Sequence, residues 1–394
     1  MVCMEQITCR RHLPPRIVRQ SLHYQPDRRG NTTFPANLFR QFISSFLFNL
    51  VDKTHRLDDI EARSRIARSP MLSSAQLGQF EQDGFLIIEN AVDQPDLHAL
   101  YTEYASLVDS VGEARGHAID DWHTLSFEEK FTRLVAADPD AYEHLDISLP
   151  MRDNIDESAG IHTGPAVFNL LNHPRILDIA ESILGPELFS NPVQHVRIKP
   201  PESLLNHAGR GNSNLSRTGW HQDAAVVVAD AEQVPILTVW VAVTDATPEM
   251  GCMQAIRGSH QWERLSKHCP GKDGVGEIFI PDALLAEHQP VNLSVKAGGV
   301  VILNRRTWHG AGPNTSNKLR WSFDLRYQPP GLHTGRTCFP GFLARSATKP
   351  RQVLSSAEAW SALWKKARLD ISIGVTEATF NERWEKHRND PMCA

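Results

Sequence analysis

Between Val193 and Gln328 the chain supplies a succession of short β-rich runs, "VQHVRI", "AAVVVA", "ILTVWVAVT", "CMQAI", "VNLSV", "GGVVILN" and "LRWSFDLRYQ", parted by Pro, Gly, Asn and Asp. Parallel βαβ units would need a helix between successive strands. The runs therefore predict an antiparallel sandwich or jelly roll, in which strands distant in sequence become neighbours. Helices are expected to flank it. "MLSSAQLGQFEQDGFLIIENAV" reads as a Ser-capped helix stopped by Gly84, followed by a strand over Phe85–Ile88. Leu97, Leu100, Tyr101, Tyr104, Leu107 and Val108 recur at three- and four-residue spacing and predict an amphipathic helix. Residues 122–190 read as mainly helical and irregular, with "HPRILDIAESILG" the clearest helix. Later, a Ser355-x-x-Glu358 capping box opens a helix expected to turn Trp360, Leu363, Trp364 and Ala367 to one face. The fold class is α+β, a jelly-roll core with flanking helices.

Three segments follow from these patterns. Residues 1–70 form an N-terminal extension, disordered or targeting; 71–345 form the jelly-roll domain with a helical N-terminal part; 346–394 form a C-terminal helical segment packed on the core. The first 30 residues hold six arginines against one Glu and one Asp. That bias allows a peroxisomal or mitochondrial signal beside the default cytoplasmic expectation. The net charge of -5 over 394 residues shows no basic excess for a nucleic-acid groove, so a small-molecule substrate is the expected partner. The longest apolar stretch, "FISSFLFNLV", is far short of the ~20 residues of a membrane span. Six scattered cysteines without a Cys-x-x-Cys pair argue against a disulfide framework and a structural zinc site, and favour a reducing compartment.

The candidate chemistry begins at "GWHQDAAVVV". In an extended segment His221 and Asp223 point to the same side, because the strand period is two. Such a pair is weak evidence alone. With 18 histidines about one His-x-Asp arises by chance, and His144-Leu145-Asp146 is a second instance. The first pair is distinguished by "GGVVILNRRTWHGAGPN", which offers His309 at the end of another apolar β run. In a jelly roll His309 can come opposite the pair, giving two imidazoles, one carboxylate and an open face. Those ligands suit Fe(II), and the open positions admit a chelating cosubstrate and O2; a structural zinc would be closed by four protein ligands. The usual chelator is 2-oxoglutarate, whose far carboxylate asks for an arginine, and Arg320 lies eleven residues beyond His309. Lys199, Arg305, Arg306 and Arg326 are further cations that could meet an acidic substrate, or simply be solvated.

The segments "HVRIKPP", "WHQD", "ILTVWVAVTDATPEMGCMQAIRGSH" and "GGVVILNRRTWHGAGPNTSNKLRWSFDLRY" resemble the phytanoyl-CoA dioxygenase family, in order, over residues 78–330. The resemblance implies a double-stranded β-helix fold, with metal residues at His221, Asp223 and His309. It also implies a 2-oxoglutarate arginine at Arg320 and a Trp lining the cosubstrate pocket at Trp240. His260, after Gly258-Ser259, reads as a turn residue near the site. The implied enzyme is an Fe(II)- and 2-oxoglutarate-dependent dioxygenase, using O2 to hydroxylate a C–H bond of a natural product or lipid-like acid. The alternative is a cupin-like, non-catalytic metal- or ligand-binding protein.

Overall fold

A computed structural model describes residues 72–150, 155–271, 278–376 and 382–393. The arginine-rich lead and the other expectations for residues 1–70 lie outside the described residues. The strands are β1 (Phe85–Ile88), β2 (Leu188–Ser190), β3 (His195–Lys199), β4 (Thr218–His221), β5 (Leu237–Ala242), β6 (Met253–Ala255), β7 (Cys269–Pro270), β8 (Ile278–Phe279), β9 (Val291–Leu293), β10 (Val300–Asn304), β11 (His309–Ala311), β12 (Arg320–Gln328) and β13 (Phe342–Arg345). All pair antiparallel. The larger sheet runs β1-β10-β5-β12-β2-β13, with β3 also on β12, and the smaller runs β4-β11-β6-β9. The chain thus alternates between two sheets and forms the jelly-roll core anticipated from strand spacing.

Helices α1 (Ser74–Asp83), α2 (Gln94–Ala114), α3 (Phe127–Ala137), α4 (Pro165–Leu171), α5 (Pro174–Leu184) and α6 (Ala357–Ser372) supply the flanking layer. The first is bounded as its sequence signals. Ser73 and Gln76 form the capping box, and Gly84 closes the helix at φ 82°. A side chain at 84 would also collide with His260 and Thr307. In α2, Leu97, Leu100, Tyr104 and Val108 are buried as the spacing predicts. No helix among the described residues is long and apolar enough to cross a membrane.

Strand β12 joins the two layers. Trp321, Phe323, Leu325 and Tyr327 belong to the main apolar core with the helices. The Trp321 ring lies 4.9 Å from Tyr101, 4.9 Å from Tyr104 and 5.4 Å from Phe127. The intervening residues Arg320, Asp324 and Arg326 line a cleft instead. One strand therefore separates apolar core from polar site by alternation alone.

The structure departs from the sequence reading at four points. "AAVVVA" is not a strand: only Gln222 continues the extended backbone of β4, and Asp223–Ala225 turn into a short 3-10 helix. The Ala224 N–H donates to the Arg305 carbonyl there, while Val227, Ala231 and Val234 pack with Val193 and Ile236 in a separate small cluster. Burial, not a ladder, accounts for that β-branched run. The last long helix is capped by Ser356, whose hydroxyl accepts from Ala359 N–H, one residue beyond the expected Ser355. Its Trp360 and Trp364 are fully buried, but Leu363 is exposed. Finally, Cys269 and Cys393 form a disulfide across 124 residues of sequence. Sequence spacing could not show it, because the partners meet only through tertiary folding.

Trp321 is fully buried and touches aromatic rings of both α2 and α3 from the larger sheet. Trp321→Ala is expected to destabilise the protein by about 3–5 kcal/mol, the usual cost of emptying a large buried aromatic site. Urea unfolding measures it; a loss below about 1 kcal/mol would show that the aromatic cluster is not the joint between layers.

Candidate metal centre

His221 ends β4 and His309 begins β11, and the two are register partners in the antiparallel ladder. Their rings lie 4.3 Å apart. Asp223 follows across one extended residue, so the period of two brings its carboxylate back toward His221 even though the strand has ended. Its Oδ1 is 3.8 Å from His221 Nε2 and 4.0 Å from His309 Nε2. One ligand atom from each residue lies within 4.8 Å of the others. A single ion can bridge such a group, since its bonds to nitrogen and oxygen run to about 2.0–2.2 Å.

The backbone sets the tautomers. His221 Nδ1 is 2.8 Å from the Gly219 carbonyl and His309 Nδ1 is 2.9 Å from the Thr307 carbonyl. A carbonyl only accepts, so both Nδ1 atoms carry protons and both Nε2 atoms keep free lone pairs toward Asp223. Burial pushes the His221 imidazole down to about 3, with His309 adding to the effect, so this ligand is neutral at ordinary pH. Burial would raise the Asp223 carboxyl, but Arg326, the two imidazoles and the Thr238 hydroxyl outweigh it. They hold it well below the usual carboxylate range. Arg326 Nη2 lies 2.5 Å from Asp223 Oδ1, and the Thr238 hydroxyl donates to Oδ2. The arrangement offers a cation two imidazole nitrogens and one anionic oxygen, already oriented.

Arg320 and Trp240 line the same cleft, which encloses about 330 Å³ including its open mouth. The Arg320 guanidinium is fully buried and lies 5.4 Å from the Trp240 ring. Nη1 donates to the Ser322 hydroxyl at 2.7 Å and Nη2 to the Gly251 carbonyl at 3.2 Å, while Nε and the Trp240 indole N–H have no partner. Burial depresses this guanidinium to about 10. A buried cation with an unused donor is costly unless an anion joins it. Gly251 sits at φ 68°, where a side chain would strike the Gly312 carbonyl, so the carbonyl that holds Arg320 depends on glycine.

Other candidates fall elsewhere. Arg305 and Arg306 donate to the Glu232 and Trp262 carbonyls, and Lys199 Nζ donates to the Thr218 hydroxyl at 3.2 Å. His260 is a turn residue whose Nε2 meets the Glu81 carbonyl, and Ser259 beside it accepts from the N–H of Trp308, next to His309. The second His-x-Asp binds no cluster: Asp146 pairs with His195 Nδ1 at 2.8 Å. Sequence reasoning gave Thr238 no role and treated Arg326 only as a general cation. The signal for Arg326 was present in "RWSFDLRY", where polar residues at 320, 322, 324 and 326 alternate with Trp, Phe, Leu and Tyr.

Two histidines and a carboxylate on a jelly roll, with a buried arginine in the same cleft, are the donor set that a facial-triad type of non-haem metal centre would need. The profile of the phytanoyl-CoA dioxygenase family matches residues 80–322, and the chain belongs to that family. Among curated relatives, phytanoyl-CoA dioxygenase domain-containing protein 1 of Mus musculus is 25% identical over 64% of this chain and 89% of its own length. Peroxisomal phytanoyl-CoA dioxygenase of Homo sapiens is 21% identical over 67% and 70%. The ectoine dioxygenase of Bordetella parapertussis is 25% identical over 62% and 71%. Among solved structures, EctD from S. alaskensis with bound Fe is 18% identical, with a TM-score of 0.43 over 67% of this chain and 79% of its own. The protein is an oxidoreductase of the iron- and 2-oxoglutarate-dependent kind.

The buried imidazoles give the metal-free protein a characteristic response to acid. His221 at about 3 and His268 at about 4 both lie below the 6.5 of an exposed imidazole, in each case mainly through burial. As pH falls below about 6.5 the unfolded chain takes up protons that the folded one refuses, so stability is full above that value and is lost toward the folded values. Urea midpoints should decline from pH 7 to pH 4. His268→Gln, whose amide oxygen can still accept from the Gln222 N–H, should flatten the decline; parallel curves would show that His268 does not contribute.

Proposed function

We propose that His221, Asp223 and His309 hold iron(II), that Arg320 pairs with the far carboxylate of 2-oxoglutarate beside Trp240, and that the enzyme hydroxylates a C–H bond of a small molecule. The supporting observation is the convergence of two free Nε2 lone pairs and an ion-paired carboxylate in the cleft that also contains the buried, incompletely bonded Arg320. Iron and 2-oxoglutarate together supply O2 activation and the oxidising power for an unactivated C–H bond, with succinate and CO2 released. The chain's own residues orient and insulate. The Gly219 and Thr307 carbonyls fix the imidazoles, Arg326 and Thr238 keep Asp223 anionic, and Arg320 with Trp240 gives a carboxylate a dry, cationic seat.

Natural products and lipid-like acids are the substrate classes we favour. The relatives' names point to unlike molecules, ectoine and phytanoyl-CoA, so family membership does not settle between a free acid and a CoA ester. Succinate formation measured across acyl-CoAs, free acids, amino acids and terpenoids, with iron and 2-oxoglutarate present, tests the reading. Stimulation by a member of one class is expected.

Arg320→Ala should raise the 2-oxoglutarate KM by about 10- to 100-fold, the loss expected for a charge-assisted pair, with a smaller change in kcat. An unaltered KM would remove the assignment. The acidic residue at 223 occupies the coordination position that a halide would need. Product formed under 18O2 in bromide buffer should therefore carry 18O as an alcohol; brominated product would defeat the hydroxylase reading.

A further inference from the structure

The turn that carries Asp223 has a second set of partners, outside the cleft. The Trp384 indole N–H donates to the Ala225 carbonyl at 2.9 Å, and Arg383 Nη2 donates to the Ala224 carbonyl at 2.6 Å. Arg383 Nη1 is 3.0 Å from the Glu232 carboxylate. The Trp384 ring lies 4.9 Å from the His268 ring, whose Nε2 accepts from the backbone N–H of Gln222, the residue between the two ligands. The same C-terminal segment is fastened further along. Asp390 pairs with Lys267 at 2.5 Å, Arg388 donates to the Gly271 carbonyl at 3.1 Å, and Cys393 is disulfide-bonded to Cys269 with Cα atoms 5.4 Å apart.

We infer that residues 382–393 are a strap that positions Asp223 for metal binding, with Arg383 and Trp384 as positioning residues, and that the Cys269–Cys393 disulfide couples metal affinity to thiol state. The inference rests on the metal-centre reading above. The carbonyls of Ala224 and Ala225, at the end of the short 3-10 turn, accept from donors in the strap. Tying those carbonyls fixes the direction in which the preceding Asp223 side chain leaves the backbone. The disulfide closes a long loop and keeps Arg383 and Trp384 at high effective concentration beside the turn. Its opening requires a reductant, and a dithiol suffices. One thiolate attacks a sulfur of the Cys269–Cys393 bond, and the second thiol resolves the mixed disulfide. Two electrons and two protons pass to the two cysteines, and the reductant leaves as a cyclic disulfide.

Cobalt(II) serves as a spectroscopic probe of the full-length protein. Non-reducing peptide mapping should recover a Cys269–Cys393 linked pair in oxidised protein. After reduction with a dithiol and anaerobic desalting, the Co(II) Kd should rise about tenfold, within the usual range for loss of outer partners of a metal site. The ligand-field spectrum should change with it. Trp384→Phe, which keeps the ring but removes the donor, should weaken cobalt binding in oxidised protein while leaving far-UV circular dichroism unchanged. Cys393→Ser should match the reduced wild type and ignore the dithiol. Unlinked cysteines, or a Co(II) Kd and spectrum indifferent to both reduction and Trp384→Phe, would overturn the strap and leave the metal centre standing. A wild-type protein that binds no Co(II) would overturn the metal-centre reading itself, and the strap with it.

Discussion

Strand β12 is buried along its whole length, yet it sends Arg320, Ser322, Asp324 and Arg326 to one face. Burying that many polar groups is unfavourable unless each finds a partner. Ser322 receives Arg320, Arg197 Nε pairs with Asp324 at 2.7 Å, and Arg326 pairs with Asp223. The last of these pairs makes the strand part of the candidate metal centre, because it fixes the charge of the Asp223 carboxylate, which follows a strand of the other sheet. Trp321, Phe323, Leu325 and Tyr327 on the opposite face secure the strand to the helices. The helix layer therefore fixes the site at one remove.

Electrostatics inside the cleft follow from the same ladder. Arg197, Arg320 and Arg326 line it, facing the carboxylates of Asp324 and Asp223, while His221 is kept neutral by burial. Burial would raise Asp324, but Arg197 and Arg326 reverse that and hold it below its usual range. Arg197 pairs with Asp324 and Arg326 with Asp223, so one guanidinium, that of Arg320, is held by a hydroxyl and a carbonyl instead of a carboxylate and can seat an anionic group. In a low-dielectric site this imbalance matters more than it would at the surface.

The candidate site was legible in the sequence where chemistry and spacing coincide. His221, Asp223 and His309 could be singled out because two polar knots sit at the ends of apolar runs, and Arg320 because it begins the next run. The jelly roll was legible for a similar reason, since turn residues part the runs at short intervals. What escaped were contacts that have no local period. Strands β4 and β11, which carry His221 and His309, hold only four and three residues, too short to stand out. "AAVVVA" looked like a strand because β-branched residues serve a buried loop as well as a sheet. The Cys269–Cys393 bond depends on where the C-terminal segment lands, which nothing within either neighbourhood encodes.

The shortness of β4 and β11 also explains why the helical and terminal segments reach so far inward. A three-residue strand such as β11 cannot fix its own ends by ladder bonds alone. The turn before His309 is braced by the junction of α1 and β1: Thr307 Oγ1 donates to the Gly84 carbonyl at 2.7 Å, and the Asn304 N–H donates to the same oxygen at 2.8 Å. Ser259 takes the N–H of Trp308, and the N–H of Gly258 in turn reaches the Asp83 carbonyl. The turn after His221 is braced from the other end of the chain, by Arg383 and Trp384 on Ala224 and Ala225. Each histidine is thus held through a turn that a different flank of the domain secures. Because the two turns meet in one β4–β11 ladder, a shift in either flank reaches His221, Asp223 and His309 through a single register.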